Sequence, residues 1–476
     1  MLYESARVRL ETVDGVGTLW LDTPEPGGNV VSRRLLHDLD HALRAAANHP
    51  CLDVLVIRSA KPGSFLAGPR AVEYASLTDE TARRGFAAAG SRVLDQLRQL
   101  GERMHTVAYI DGDCRNAGLS LALAYGHRLA VAAPHTQIGC DFLDRGQLPA
   151  IGLTTRLTRL VGVRNALDLM LSNRIIPARA ARRLGLVDHA FGPRPAKTEL
   201  WWYIAQLRDR PVKPARDGSW LSRLREHPWL IERRIMSPFE QVRGAQSRAV
   251  LTAIRCGWRG RPADGCAAET AAFVRDGLHP EAAVLRRRCR EAEDFAADWS
   301  EVPVPTRIGV ATLDESGTMI AGLALRSGCS LGLREAENRR RLEPVAAQAV
   351  ADGWLNVVES EQWLKSVALT ADRFSRAEMI FLGGSAEAQR REVVELDDSL
   401  DPAVILVTTA GPPEADGLRW PQRVVGVSFH GESAVVLLRT PQTDGETLAK
   451  LFRWMQRCGL RPMLPHAAAP AAVFAA

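Results

Sequence analysis

Residues 107–191 open with VAYIDGDCRNAGLSLALAYGHRLAVAAPHTQIG and close with RLGLVDHAF, and this stretch decides the fold. An apolar strand runs into a Gly-containing turn at Asn116-Ala117-Gly118 and an apolar helix. A second strand over 128–133 follows, then a segment ending Gln147-Leu148-Pro149. Strand–helix units joined by short turns predict an α/β domain. The same grammar runs upstream. VRLETV and VGTLWLD alternate around Asp14-Gly15 and predict a hairpin over 5–22. A helical pattern over 32–47 and a buried strand over 52–59 come next.

Composition sets the bounds. At 476 residues, 46% hydrophobic and 24% charged, the chain is long enough for two or three domains with full cores. Its net charge of +6 comes from 61 basic against 55 acidic residues, and only five of the basic residues are lysine. The arginines are scattered or sit in short runs such as Arg286-Arg287-Arg288, which read as solvated helix faces and not as a nucleic-acid patch. Eight dispersed cysteines show no CxxC pair and no metal-ligand spacing. With no signal peptide and no apolar 18-mer in the sequence, a soluble, reduced, cytoplasmic protein without a membrane span is expected.

TRLTRLVGVRNALDLMLSNRIIPARAARRLGLVD, which ends at Asp188, resembles a run of the crotonase (enoyl-CoA hydratase/isomerase) superfamily almost position by position. The resemblance implies a crotonase ββα-spiral domain over 1–195. MSPFEQVRGAQSRAVLTAIRCGWRG and AAETAAFVRDGLHPEAAVLRRRCREAEDFA resemble the helical linker of the fatty-acid β-oxidation multifunctional α-subunit, placed at 196–300. TRIGVATLDESGTMIAGLALRSGCSLGLREAENRRRLEPVAAQAVADG resembles the opening of that family's 3-hydroxyacyl-CoA dehydrogenase domain. It implies a Rossmann-like NAD-binding-type domain over 301–465, with an Ala-rich tail at 466–476. No counterpart to the family's C-terminal helical domains follows CGLRPMLP, so a truncated form is expected.

Hydration of an enoyl thioester needs two N–H donors for the developing oxyanion and paired carboxylates for water. The family's "F-AGaD" loop matches Phe65-Leu66-Ala67-Gly68-Pro69-Arg70, where Pro69 takes the position of the first donor and has no N–H. Ala117, followed by Gly118, takes the position of the second. The two family glutamates fall on Ser120 and Phe142. Asp141 and Asp144 flank the second position and read either as loop carboxylates or as relocated acids. Cys114 and Cys140 read as buried thiols or as nucleophiles, and His127 and His135 as surface or core-edge residues.

In the second domain the family's "GaGtMG" turn falls on 315–320, and only Gly317 keeps its glycine. Glu315 is expected to set a carboxylate beside the pyrophosphate, and Ile320 to crowd the turn. Glu335 remains either a ribose contact or a solvated loop residue. The family's catalytic Glu, Asn and His fall on Leu382, Thr409 and Ser428, with His430 two residues beyond on the same strand face.

These substitutions in this frame imply a homologue of the α-subunit that has lost both activities and serves as an acyl-CoA-binding or scaffold subunit. The alternative is an active acyl-CoA hydratase/isomerase-type enzyme that uses Asp141 or Asp144. A third reading is a structural remnant without ligand. No metal and no NAD are expected as cofactors, the dinucleotide site being degenerate. The partners implied are an acyl-CoA ligand and either a second copy or a thiolase-like subunit.

Overall fold

The hairpin of β2 (Val8–Val13) and β3 (Val16–Leu21) pairs antiparallel, with Val13 opposite Val16 across Asp14-Gly15. It forms one side of a seven-stranded sheet, with β1 (Tyr3–Glu4) outside it. Helix α1 (Arg33–Asn48) starts where Ser32 accepts a hydrogen bond from the Leu35 N–H at 3.1 Å, and it buries Leu35, Leu36, Leu39, Ala42 and Leu43 on one face. The computed structural model describes residues 1–25, 27–193, 196–212, 233, 244–335, 340–368, 372–411, 417–430 and 434–464. The Ala-rich tail lies outside them.

From β4 (Val54–Ser59) the chain repeats one motion: a strand in the large sheet, a strand in a small sheet, then helix. β4 is followed by β5 (Ser64–Leu66), α2 (Ala71–Ala75) and α3 (Glu80–Leu100). β6 (His105–Ile110) is followed by β7 (Asp113–Arg115) and α4 (Ala117–Ala122). β8 (His127–Val131) is followed by β9 (Gln137–Gly139), α5 (Leu153–Val161) and α6 (Val163–Leu171). β10 (Ile175–Pro177) closes the small sheet, and β11 (His189–Phe191) closes the large one after α7 (Ala178–Arg183). The large sheet has the order β1-β2-β3-β4-β6-β8-β11, parallel from β3 onward; the small one is β10-β9-β7-β5. This is a ββα spiral. Its turns lie so close that a Cβ on Gly118 would sit 1.9 Å from the Leu66 carbonyl oxygen. α4 can rest on β5 only with glycine there.

Three helices of the expected 196–300 linker pack into the core. α8 (Ala196–Arg208) buries Leu200, Tyr203, Ile204 and Leu207 in one apolar layer with Val54, Val107 and Leu129 of the large sheet. α9 (Ala245–Arg259) and α10 (Pro262–Asp276) add Val250, Ile254 and Phe273 to the main core. The compact unit therefore runs Met1–Arg290, beyond the expected limit at 195, and a second covers Glu291–Ala476. The boundary falls inside α11 (Ala283–Asp298).

The second unit is an open sheet built on β12 (Arg307–Val310). α12 (Glu315–Arg326) leads to β13 (Ser330–Leu333); α13 (Glu343–Asp352), α14 (Val357–Ala368) and α15 (Asp372–Ser375) lead to β14 (Met379–Leu382). α16 (Ala386–Ser399), β15 (Ile405–Thr408), β16 (Val424–His430), β17 (Ala434–Arg439), α17 (Gly445–Arg457) and β18 (Arg461–Met463) complete it. The order is β13-β12-β14-β15-β16-β17-β18, parallel through β16. Alternate residues feed opposite layers, Met379 and Phe381 into one and Ile380 and Leu382 into the other. The order reverses between β12 and β14, the topological switch point of a doubly wound sheet.

One buried ion pair ties α16 to the entry of β16. Arg423 Nη2 is 3.0 Å from Asp397 Oδ1, and both side chains are almost fully buried. Arg423 also donates to the Asp401 carbonyl (2.6 Å) and the Asp397 carbonyl (2.8 Å), while Asp397 Oδ2 accepts from the Arg419 N–H at 2.5 Å. Removing one partner strands the other charge. Asp397→Ala is expected to lower stability by about 3–5 kcal/mol in urea titrations; a loss under about 1 kcal/mol would contradict this account.

Candidate functional site

The loop expected to hold a thioester lies between β5 and α2. Buried Asn29 fixes it: Asn29 Nδ2 donates to the carbonyls of Leu21 (3.2 Å) and Phe65 (3.2 Å) and to Ser59 Oγ (2.8 Å). Its backbone carbonyl accepts from the Ala67 N–H at 2.9 Å. Gly68 is buried so close to Asn116 that a Cβ would lie 2.9 Å from the Asn116 Cβ. Pro69 is buried and its carbonyl accepts from Gln147 Nε2 at 3.2 Å. The ring nitrogen has no proton to give. Arg70 is half-buried at the N-cap position of α2 and is not among the residues that line the cavity beside the loop.

Across from this loop, Asn116 takes a left-handed φ of 54° just before α4, and its N–H donates to the Gly139 carbonyl at 3.1 Å. Ala117 follows, half-buried, and lines the cavity. Ser120 is fully buried and donates to the Ile151 carbonyl at 2.7 Å, so its hydroxyl is committed to holding α4 on the segment before α5. Phe142 is buried and forms part of the wall.

The acids offered as substitutes lie elsewhere. Asp141 is buried: its N–H donates to Asn116 Oδ1 at 2.9 Å, its Oδ1 accepts from Asn116 Nδ2, and its Oδ2 lies 3.5 Å from Arg115 Nη1. Arg115 also holds Asp113 (2.9 Å) and Gln137 (2.6 Å). This cluster fixes the strained backbone at Asn116. Asp144 is half-buried, and neither aspartate lines the cavity. Burial pushes the thiols of Cys114 and Cys140 well above their ordinary range, which disfavours a thiolate at either. His127 Nδ1 meets the Tyr203 hydroxyl at 3.0 Å, and exposed His135 meets Asp111 at 3.0 Å.

The cavity itself has a volume of about 20 Å³, room for about one water molecule. Pro69, Tyr74, Phe86, Phe142, Ile151 and Phe273 supply most of its apolar wall. Among the described residues no carboxylate, imidazole, thiol or amine lines it. Three polar side chains that line it meet the chain itself: Asn116 with Asp141, Gln147 with Pro69, and the Tyr74 hydroxyl as acceptor from the Leu148 N–H at 2.8 Å.

α10 fills the space. Phe273 is fully buried, with its ring centroid 5.8 Å from Tyr74 edge-on and 6.1 Å from Phe86. One turn earlier, buried Glu269 accepts from the N–H groups of Gly152 (2.6 Å), Leu153 (3.2 Å) and Thr154 (2.7 Å) and from the Thr154 hydroxyl (2.5 Å). Its carboxylate caps the N-terminus of α5, where free N–H groups and the helix dipole favour negative charge. Burial pushes its pKa up, and these donors offset that rise only in part. Arg83 Nε holds the far end of α10 through the Val274 carbonyl at 2.6 Å. The sequence reading assigned this helix to a linker and missed both residues. The signal was there: Gly265, Glu269, Ala272 and Phe273 share one face at helical spacing.

At the switch point of the second unit, backbone donors at the start of α12 and beyond β14 are taken by a side chain of the same unit. Asp314, unnoticed in sequence, caps α12: its Oδ1 accepts from the Gly317 N–H at 2.7 Å and its Oδ2 from the Gly384 N–H at 2.6 Å. A carboxylate thus holds the helix N-terminus where a pyrophosphate would need those donors. Glu315, expected to play that part, is exposed in the first turn of α12 instead. Ile320 does not crowd the turn; it lies on the inner face of α12, fully buried in the core. Gly317 is needed because a Cβ there would meet the Thr312 carbonyl oxygen at 2.0 Å.

Beyond β13, Arg334 pairs with Glu392 (2.7 Å) and Glu395 (2.5 Å) of α16, beside exposed Glu335. Leu382 is core. Thr409 donates its hydroxyl to the Leu382 carbonyl (3.0 Å) and accepts from Gln389 Nε2 (3.0 Å). Ser428 sits half-buried in β16 opposite Val436. Strand register brings these three positions to neighbouring strands, but no acid–base pair results. The His430 side chain lies outside the described residues.

Glu269→Ala would leave three buried N–H groups without an acceptor. A loss of at least about 1–3 kcal/mol is expected in denaturant titrations, with Glu269→Gln losing less because its side-chain oxygen still accepts. Equal, negligible effects for both would remove the carboxylate from its assigned role.

Residues 11–212 match the family model for enoyl-CoA hydratase/isomerase. Among solved structures the chain is similar to DspI of Pseudomonas aeruginosa, at 21% identity over 50% of this chain and 92% of that one, with a TM-score of 0.40. It is also similar to an enoyl-CoA hydratase from Bacillus halodurans (18% identity, 56% and 98% coverage, TM-score 0.40). A third is an enoyl-CoA hydratase from Bacillus anthracis (19% identity, 61% and 96% coverage, TM-score 0.40). The family match and the ββα spiral together make the first unit a crotonase-like domain with an enoyl-CoA hydratase/isomerase-type fold.

Proposed function

We propose that this chain is a catalytically silent relative of the β-oxidation multifunctional α-subunit, serving as a scaffold subunit. The observation that carries the reading is the small cavity of about 20 Å³, which Phe142 and Phe273 help wall and no acid or base lines among the described residues. Loss of an oxyanion donor costs about 10²–10³ in rate, and loss of general acid–base groups about 10²–10⁴. These factors act as a unit and do not simply multiply. The fold survives because the substituted residues pack into it: Ser120 and Phe142 are themselves core residues. The same reading takes the second unit as a Rossmann-like domain without NAD, since Asp314 and the Arg334 pairs use the groups a dinucleotide would need. A second copy or a thiolase-like subunit is the partner this role requires. Eight cysteines dispersed along the sequence suit a reducing cytoplasm.

Acyl-CoA binding is the narrower form of the proposal, and it requires Phe273 to leave its place. Titration calorimetry of the full chain with acetyl-CoA and longer acyl-CoAs separates the two forms. The scaffold reading predicts no saturable heat at millimolar ligand. Saturable binding that Phe273→Ala strengthens would favour the acyl-CoA reading instead.

Two further outcomes test the loss of chemistry. Turnover of a short enoyl-CoA should fall at least about 10⁴-fold below the roughly 10 per second of an ordinary enzyme; activity within about two orders of magnitude of that value would overturn the proposal. NAD should give no micromolar binding isotherm with the full chain, and a clear one would show that Asp314 yields its place.

A further inference from the structure

On the exposed side of α1, His37 and His41 stand one turn apart, and their Nε2 atoms are 3.3 Å from each other. Two histidines at i and i+4 are the spacing by which a helix presents two imidazoles to one metal ion. Two nitrogens bound to one zinc at about 2.0–2.1 Å with tetrahedral angles lie about 3.3–3.4 Å apart. The spacing already present therefore matches a shared ion.

The rings are also oriented. Asp38 Oδ1 lies 3.7 Å from His37 Nδ1, the ring nitrogen that does not face His41. Asp38 is fixed in turn by Ser5 Oγ at 3.0 Å and Arg7 Nη1 at 3.3 Å. His41 lies parallel to Tyr3, with centroids 6.4 Å apart and planes within 4°. Asp40 is occupied by Arg44 at 2.7 Å. No group of three or more His, Cys, Asp or Glu suited to a metal forms among the described residues, so the chain supplies two ligands here.

We propose that His37 and His41 form a two-imidazole site for a divalent transition-metal ion of the zinc, nickel or copper class, with water completing the coordination. The site uses no residue that lines the cavity of the crotonase-like domain and is independent of that domain's activity. The ion bridges two turns of α1, so binding to the folded state raises the melting temperature.

Calorimetric titration of the metal-free full chain with Zn²⁺ tests it, alongside thermal melts with and without the ion. One saturable site per chain and a raised melting temperature are expected, both lost in His37→Ala and in His41→Ala. Both side chains are exposed and alanine favours helix, so the metal-free melts and helical circular dichroism of these variants should match the parent. His41→Gln, which keeps a polar side chain, should lose the site equally. Absence of saturable binding at millimolar Zn²⁺, or a parental isotherm in both alanine variants, would overturn the proposal and leave the contact as a hydrogen bond between rings.

Discussion

The carboxylate of Glu269 on the N–H groups of Gly152, Leu153 and Thr154 is the constraint on which the first unit turns. A buried carboxylate is tolerable only when hydrogen bonds replace its water, and a helix N-terminus offers several donors at once. Once Glu269 is seated, α10 has one register against α5, and Phe273 must enter the space between Tyr74 and Phe86. The cavity closes for the same reason that the helix docks.

The second unit solves a like problem in a like way. Asp314 caps α12 and reaches across to the Gly384 N–H, so one carboxylate satisfies donors from both sides of the switch point. In each unit a helix N-terminus that could have received a ligand's negative charge receives one from the chain itself. Such contacts stabilise the closed arrangement, and a ligand that needs the same donors must displace a side chain already in place.

Much of this was legible in the sequence. The hairpin at Asp14-Gly15, the helix expected over 32–47 and the 107–191 core all follow from local rules, because turn chemistry and hydrophobic period act over short distances. Pro69 and Phe142 line the cavity, whereas Ser120 is buried and bonded to the Ile151 carbonyl. What escaped was long-range. Glu269 lies more than 100 residues from the N–H groups it caps, and Asp314 from Gly384 by 70. Asp141 read as a loop carboxylate or a relocated acid, but its partner Arg115 comes from a neighbouring strand of the small sheet. Ile320 looked obstructive because the motif placed it near a turn, whereas helix periodicity turns it into the core.

The central claim is that α10 holds the first unit's cavity shut. Amide hydrogen exchange over 147–157 and 262–276, with and without millimolar acyl-CoA, tests it directly. The account predicts slow exchange at the Gly152, Leu153 and Thr154 amides that does not change when ligand is added. Rapid exchange there, or protection that appears only with acyl-CoA, would show that α10 opens to admit ligand and would contradict it.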